Sequence, residues 1–322
     1  MGDKISIIMP AYNAADRIEK AIHKIEQQSY KNFELIIVND GSEDSTEDVC
    51  HALSEEYDNI KLISKKNAGP GKAREAGIAI ASGDYIGFVD SDDYISQTAI
   101  DQVLQVFNNT NADIIQFGFT KVSDNDEVLS NNPMKEESFN NSKAAFGSFI
   151  SQKNCTNFLW NKFYKRNLFK GVEWPGVYYS EDYAVLAQLY GNSGNVITIK
   201  DELYYYVKHS ESAVNKPFTR RKLDQIEAAK YVINYTKKNF PEYLPEAFYY
   251  LTTRSARLAE EVLCSDLADR NQIYNDLVIT FKDAYSEMKL CLKKQGRKID
   301  IDKTTRVFAI SPSLARILKR MR

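Results

Sequence analysis

Three carboxylates fall within four residues in Phe88-Val89-Asp90-Ser91-Asp92-Asp93. A charge cluster at the end of an apolar run is costly unless a cation or hydrogen bonds compensate it. Asp90 and Asp92 are two positions apart, so in an extended segment they face the same side. Oxygen donors of this kind suit Mg²⁺ or Mn²⁺, ions that bridge protein carboxylates to a diphosphate. A plain polar turn, with Asp93 capping a following helix, would use the same residues. Asp40 closes the apolar run Ile36-Ile37-Val38-Asn39 and precedes Gly41-Ser42. It could be a turn residue, or its carboxylate could accept the N3–H of uracil. Lys66-Asn67-Ala68-Gly69-Pro70-Gly71-Lys72-Ala73-Arg74 opens a helix with a Gly-rich loop, a place that suits phosphate. It is not a Walker loop, and no GxGxxG follows the first strand. Pro10-Ala11-Tyr12-Asn13 could hold a base through backbone groups and the Tyr12 ring, or could simply turn the chain. Tyr179-Ser180-Glu181-Asp182-Tyr183 puts two acids at a helix start. The helix dipole favours acids there, and a carboxylate there could also take a proton from a hydroxyl.

Short apolar runs alternate with helical periodicity through the first third. Ile5–Met9, Glu34–Asn39, Ile60–Ser64, Tyr85–Val89 and Asp113–Phe117 read as strands. Ala15–Gln28, Thr46–Tyr57, Gly71–Ala81 and Thr98–Asn108 read as helices, with Ser45 and Ser96 as N-caps. The pattern predicts an α/β fold with a mainly parallel sheet flanked by helices. Ligands of such sheets bind beyond the carboxyl ends of the strands. The segments 10–13, 40–42, 66–71 and 90–93 all follow strands, so they should converge on one edge. Residues 122–141 are Asn-, Ser-, Asp- and Glu-rich and read as a long surface loop or hairpin. An aromatic, less regular stretch over 160–206 ends in a strand near Val196–Tyr206. From Phe218 to Gln295 about three helices are expected, with a break marked by Pro241 and Pro245.

The 322 residues carry a net charge of -2, so the chain as a whole is no polycation. Cys50, Cys155, Cys264 and Cys291 are widely spaced, which opposes a disulfide framework or a zinc site and fits a cytoplasmic protein. The first residues lack a secretory h-region, and no apolar run is long enough to span a bilayer. Lys293–Arg322 is the exception in charge. Ten basic residues face Asp300 and Asp302 there, and Phe308, Ile310, Leu314, Ile317, Leu318 and Met321 recur at near-helical spacing. This predicts a basic amphipathic helix, either lying on the inner face of the cell membrane or packed on the domain. No nucleic-acid-binding module is recognised, so no nucleic-acid partner is expected.

In order and spacing, Pro10–Asn13, Asp40-Gly41-Ser42, Asn67–Arg74 and Asp90-Ser91-Asp92-Asp93 resemble the inverting family 2 glycosyltransferases of GT-A fold, such as those of bacterial capsule, exopolysaccharide and cell-wall synthesis. The resemblance is close over the first 120 residues and looser to about 215. It implies a nucleotide-sugar domain over 1–215, a helical appendage over 216–295 and a basic tail over 296–322. It further implies a UDP-sugar donor held by Pro10, Ala11, Tyr12, Asn13, Asp40, Asn67, Gly69, Arg74, Asp90, Ser91 and Asp92. Asp40 resembles the uracil contact, Asp90 the carboxylate near the ribose, and Asp92 the ligand of Mn²⁺ or Mg²⁺. His209, one of three histidines with His23 and His51, resembles a late metal ligand of some members. The Glu181-Asp182 pair resembles the motif that supplies the base, with Asp182 in that role. Glu75 departs from the pattern, since Asn is frequent after the Ala-Arg pair.

Trp160 could border the acceptor through its aromatic face, although a core position would also account for it. The QxxRW segment of processive synthases is absent, which predicts addition of a single sugar or very few. The resemblance implies a hexosyl or N-acetylhexosaminyl unit and, together with the basic tail, a growing or lipid-linked glycan as acceptor. Rival functions are a sugar-nucleotide pyrophosphorylase, a non-catalytic nucleotide or glycan binder with a decayed site, and a scaffold. Met9-Pro10-Ala11-Tyr12 lacks the Gly-, Arg- and Lys-bearing signature of the first. Retention of Asp40, Asp90, Asp92 and Asp182 together opposes the second. The third predicts function that survives loss of Asp92.

Overall fold

The computed structural model describes residues 3–209 and 217–312. In chain order the elements are β1 (Ile5–Ala11), α1 (Ile18–Glu26), β2 (Phe33–Asn39), α2 (Thr46–Glu56), β3 (Ile60–Ser64), α3 (Pro70–Ile80), β4 (Tyr85–Phe88), β5 (Tyr94–Ile95) and α4 (Ala99–Thr110). There follow β6 (Ile114–Val122), β7 (Val128–Asn132), β8 (Glu137–Phe139), α5 (Ser142–Ile150), β9 (Lys162–Lys165), α6 (Glu181–Asn192) and β10 (Val196–Val207). Four helices complete the chain: α7 (Asp224–Asn239), α8 (Leu244–Val262), α9 (Arg270–Gln295) and α10 (Lys303–Ile310). Residues 3–176 with 188–209 form one compact unit, and 177–187 with 217–312 a second.

The first unit is built on one sheet of order β3-β2-β1-β4-β9-β6-β10-β5, with β7 also on β6 and β8 also on β10. Strands β3, β2, β1 and β4 run parallel, and β6 runs parallel to β10. Every residue of β2 is buried, as expected for a strand covered on both faces. Ile5, Ile7 and Met9 face the layer that holds Ile18, Ile22, Val103 and Phe107. Ile8, on the other side of the strand, meets α3. There a Cβ on Gly77 would lie 2.5 Å from Ile8 Cγ2 and 3.3 Å from Val38 Cγ2. Glycine therefore sets how closely this helix approaches the sheet.

The parallel half matches expectation, but β9 enters antiparallel between β4 and β6, making the sheet mixed though still mainly parallel. Residues 122–141 form the hairpin alternative, with β7 antiparallel to β6. The N-caps differ from those expected. Ser45 stands at the start of α2 without a side-chain cap bond, while Asp44 Oδ1 accepts from Thr46 N at 3.0 Å. Helix α4 starts after Thr98, not Ser96, and Ile100 N is met by Gln28 Oε1 at 3.3 Å from across the core.

At the amino edge of the sheet, Glu34 is buried under five donors. Ser6 Oγ lies at 2.6 Å, Ser82 N at 2.7 Å and Ser82 Oγ at 2.9 Å. The ammonium groups of Lys61 and Lys4 lie at 2.8 and 3.1 Å. Burial alone would raise its pKa. The bonds from Lys61, Ser6 and Ser82 outweigh burial and hold the carboxyl far below its usual range.

In the second unit, α7, α8 and α9 match the three helices expected, with the break at Pro241 and with Pro245 in the first turn of α8. Tyr183 stacks on Tyr250 at 3.8 Å between centroids. Asp302 caps α10 through Thr305 N at 3.0 Å, and Phe308 packs on Phe281 at 4.7 Å. The described part of the basic tail thus buries Phe308 in its own unit and leaves Ile310 81% exposed. Leu314, Ile317, Leu318 and Met321 lie outside the described residues. Among the described helices none is long and apolar enough to cross a membrane.

Gly77→Ala should destabilise the protein by about 1–2 kcal/mol in urea unfolding. The clash with Ile8 exceeds the gain in helix propensity of about 1 kcal/mol. Glu34→Gln should lower stability at pH 7 by about 2–3 kcal/mol, less than for a fully dry pair because both lysines are partly exposed. The folded pKa of Glu34 is depressed, so its contribution is complete above about pH 5 and is lost as pH falls below the ordinary carboxylate range. Melting temperature against pH should therefore fall less steeply on the acid side in the variant than in the unaltered protein.

Candidate active site

The carboxyl ends of β1, β2, β3 and β4 share one edge of the first unit, and side-chain bonds knit their loops together. Asn13, left-handed at φ 49, accepts from Glu43 N through its side chain at 2.8 Å and donates its own N–H to Ser42 Oγ at 3.0 Å. Thr46 Oγ1 accepts from Ala14 N at 2.8 Å. Asp40 reaches further. Its carboxylate accepts from Lys65 Nζ at 2.6 Å, Ala68 N at 3.0 Å and Gly69 N at 2.7 Å. It thus anchors the loop that starts α3, beyond either role open to it in the sequence. A uracil N3–H meeting this carboxylate would share it with those donors. Gly41 explains the Asp-Gly pair. Its φ is +71, and a Cβ would lie 2.8 Å from Asn67 N, so only glycine lets the two loops touch.

Arg74, buried in α3, donates through Nη2 to Asp90 Oδ1 at 2.8 Å. The Ala-Arg pair therefore fixes the first carboxylate of the acidic turn. Asp93 is fully buried and faces inward: Tyr204 OH donates to Oδ2 at 2.7 Å, and Val207 N to Oδ1 at 2.8 Å. Burial, then the charges of Asp92 and Asp90, push its carboxyl well above the usual range. The Tyr204 hydroxyl also accepts from Asp90 N at 3.2 Å. Asp93 is thus followed by the short strand β5, and it ties the turn to β10 instead of capping a helix. Trp160 is only 6% exposed. It stacks on Tyr204 at 4.3 Å and on Phe158 at 4.7 Å, so it sits in the core behind the acidic turn.

Asp92 is the member of the cluster left partly open. Burial, then Asp90, push its carboxyl upward, and His209 pulls it back. A cation beside it would relieve both penalties. Asp92 Oδ2 and His209 Nε2 stand 3.6 Å apart, longer than a hydrogen bond. Neighbouring octahedral ligands about 2.1 Å from one ion are roughly 3.0 Å apart, so Asp92 and His209 would have to close by about half an ångström to hold Mg²⁺ or Mn²⁺ side by side. Among the described residues no group of three or more metal-capable side chains gathers. Diphosphate oxygens and water would have to complete the shell, as is usual for Mg²⁺.

Of the other predicted residues, Pro10 and Ala11 end β1, and Ala11 O accepts from Asp40 N at 2.8 Å. Tyr12 is 41% exposed, and Ser91 is half-buried in the acidic turn. Glu181, buried, and Asp182, half-buried, open α6 after Ser180 at φ 64. Both belong to the second unit. Sequence reasoning missed Lys65 and Tyr204. Tyr204 lies in an unbroken Tyr204-Tyr205-Tyr206 run in which nothing marks the polar partner, and Lys65 carried no signal beyond its place before the Gly-rich loop.

The profile described as glycosyl transferase family 2 matches residues 6–172. The chain is 30% identical over 212 residues to glycosyltransferase GlyA of Streptococcus pneumoniae serotype 4, covering 63% of this chain and 30% of that protein's length. It is 25% identical over 238 residues to glycosyltransferase GlyG of the same organism, covering 68% and 75%. Residues 1–349 of S. aureus TarS share its fold with a TM-score of 0.71 at 17% identity, over 99% of this chain and 91% of that one. The complex of TarS 1–349 with UDP-GlcNAc gives 0.63 at 19% identity, over 93% and 94%. The α/β architecture with its mainly parallel sheet and C-terminal helical region is accordingly GT-A-like. With more than half of its residues matched by the family profile, the chain belongs to glycosyl transferase family 2.

Proposed function

We propose that the protein is an inverting glycosyltransferase that moves one hexosyl or N-acetylhexosaminyl unit from a UDP-sugar to an acceptor hydroxyl. The observation that carries this is the meeting of Asp40, the Arg74–Asp90 pair and the Asp92–His209 pair at one sheet edge in a family 2 chain. The UDP-GlcNAc complex of TarS, a protein of the same fold, supports a uridine donor. Asp40 and the loop it anchors face the base, Tyr12 offers its exposed ring, and Asp90, fixed by Arg74, lies toward the ribose. A divalent cation, Mn²⁺ or Mg²⁺, held by Asp92 and His209 supplies charge neutralisation for the departing diphosphate. Asp182 takes the proton of the acceptor hydroxyl as it attacks the anomeric carbon, and Glu181 stands beside it. Support for these last roles is the resemblance of the Glu181-Asp182 pair to the family motif. The acceptor is a growing or lipid-linked glycan in bacterial surface-polysaccharide synthesis, and the ten basic residues of 293–322 favour a cytoplasmic enzyme touching the anionic inner membrane face.

The first test is a donor panel with Mn²⁺ or Mg²⁺ and release of free nucleotide as readout. One UDP-sugar should be hydrolysed slowly, and both EDTA and Asp92→Ala should abolish the signal. No release from any donor, together with no UDP binding in calorimetry, would remove the enzyme reading. With an acceptor in hand, Asp182→Asn should lower kcat by about 10²–10⁴ with little change in donor KM. Normal turnover in that variant, or retention of the donor's anomeric configuration in the product, would refute the assigned base and in-line attack.

A further inference from the structure

The turn between β6 and β7 carries two aspartates that the chemistry above leaves unused. Asp126 is left-handed at φ 63, and its carboxylate gathers three donors. Lys20 Nζ lies at 2.9 Å, Tyr94 OH at 2.8 Å and Lys24 Nζ at 3.5 Å. Lys20 Nζ also donates to the Asp124 carbonyl at 2.9 Å. Helix α1 and strand β5 therefore both hold this turn. On its other side, Lys208 N donates to Val122 O at 2.8 Å, which ties the backbone next to His209 to the same hairpin. Between these anchors Asp124 Oδ1 stands 2.5 Å from His209 Nδ1, while the opposite ring nitrogen, Nε2, faces Asp92 at 3.6 Å.

A neutral imidazole carries one N–H, and the partner of that N–H decides which nitrogen keeps its lone pair. Asp124 and Asp92 compete for the proton. Asp124 Oδ1 lies against Nδ1 as a close ion-pair contact at 2.5 Å, whereas Asp92 stands 3.6 Å from Nε2, so Asp124 has the stronger hold on the proton. We infer that Asp124 is a positioning residue that accepts the Nδ1–H of His209 and so directs the Nε2 lone pair toward Asp92. This rests on the proposal that Asp92 and His209 hold the divalent cation. Carboxylates of this kind orient imidazole ligands and raise their basicity. Asp126 acts one step further back, fixing the turn that carries Asp124.

The test uses the full chain. Its three histidines give a simple spectrum after ¹⁵N-histidine labelling, and His209→Gln assigns the resonance. At pH 8 His209 should carry its proton on Nδ1 in the unaltered protein, and on Nε2 in Asp124→Ala. Mn²⁺ affinity, read from the free-Mn²⁺ electron paramagnetic resonance signal with UDP present, should fall about 10–100-fold in Asp124→Ala. The fall should be smaller in Asp124→Asn, whose amide oxygen still accepts. UDP affinity without metal and the melting temperature should stay unchanged, since Asp124 is 66% exposed. Asp124→Ser, too short to reach the ring, replaces the alanine variant if that one does not fold. Unchanged tautomer and Mn²⁺ affinity on loss of the carboxylate would overturn the role of Asp124, while loss of affinity in His209→Gln would leave the metal site standing. Unchanged Mn²⁺ affinity in His209→Gln, or no Mn²⁺ binding by the unaltered protein, would overturn both.

Discussion

The buried carboxyl of Asp93 joins two parts of the sheet that are far apart in the chain. It follows β4, yet its partners, Tyr204 and the Val207 N–H, belong to β10. An aspartate in the core is tolerated only with donors of this quality. Satisfying it fixes three further things at once. The turn that carries Asp90 and Asp92 is held against β10. The end of β10 delivers His209 beside Asp92. Tyr204, locked by its own hydrogen bonds, becomes the platform on which Trp160 stacks. The open chemistry of Asp92 thus depends on the closed chemistry of its neighbour.

The molecule's carboxylates divide by how they are compensated. Glu34 and Asp40 are each surrounded by fixed N–H, O–H and ammonium donors at the two ends of β2. Glu34 staples the amino edge of the sheet and Asp40 organises the loop at the carboxyl edge. Asp90 has a buried guanidinium. Asp92 alone among these relies on a partly exposed setting and an imidazole beyond bonding distance, and burial and repulsion raise its pKa. A ligand cation has most to contribute where the protein's own donors are fewest.

Much of this was legible in the sequence because period and punctuation agreed. The runs ending at Ala11, Asn39, Ser64 and Phe88 are mostly apolar, β1 and β2 are almost wholly buried, and polar residues mark the carboxyl ends of the runs. Strand β9 was not legible. Lys162-Phe163-Tyr164-Lys165 is short and begins with a lysine. That lysine is buried because its ammonium meets Thr156 O and Oγ1, Phe158 O and Asn161 Oδ1 at 2.6–3.1 Å. Such compensation comes from loop atoms whose positions no periodicity encodes. The caps failed for the same reason: Gln28 serves the start of α4 from far away in sequence. The roles of Asp93 and Tyr204 depend on a pairing across more than a hundred residues, which a spacing rule cannot supply.

The position of β9 and β10 also bears on how the protein is made. Strands β1 to β4 can pair with one another as soon as they leave the ribosome, because their partners are near in sequence. The free edge of β4 has to wait for Phe163–Lys165, and Asp93 has to wait for Tyr204 and Val207. Until synthesis has passed Val207, a half-sheet with an uncovered edge and then an unsatisfied acid must persist at the exit tunnel. The acidic turn is thus encoded early but completed late, and the nascent half-sheet is the species on which chaperones and proteases have the longest time to act.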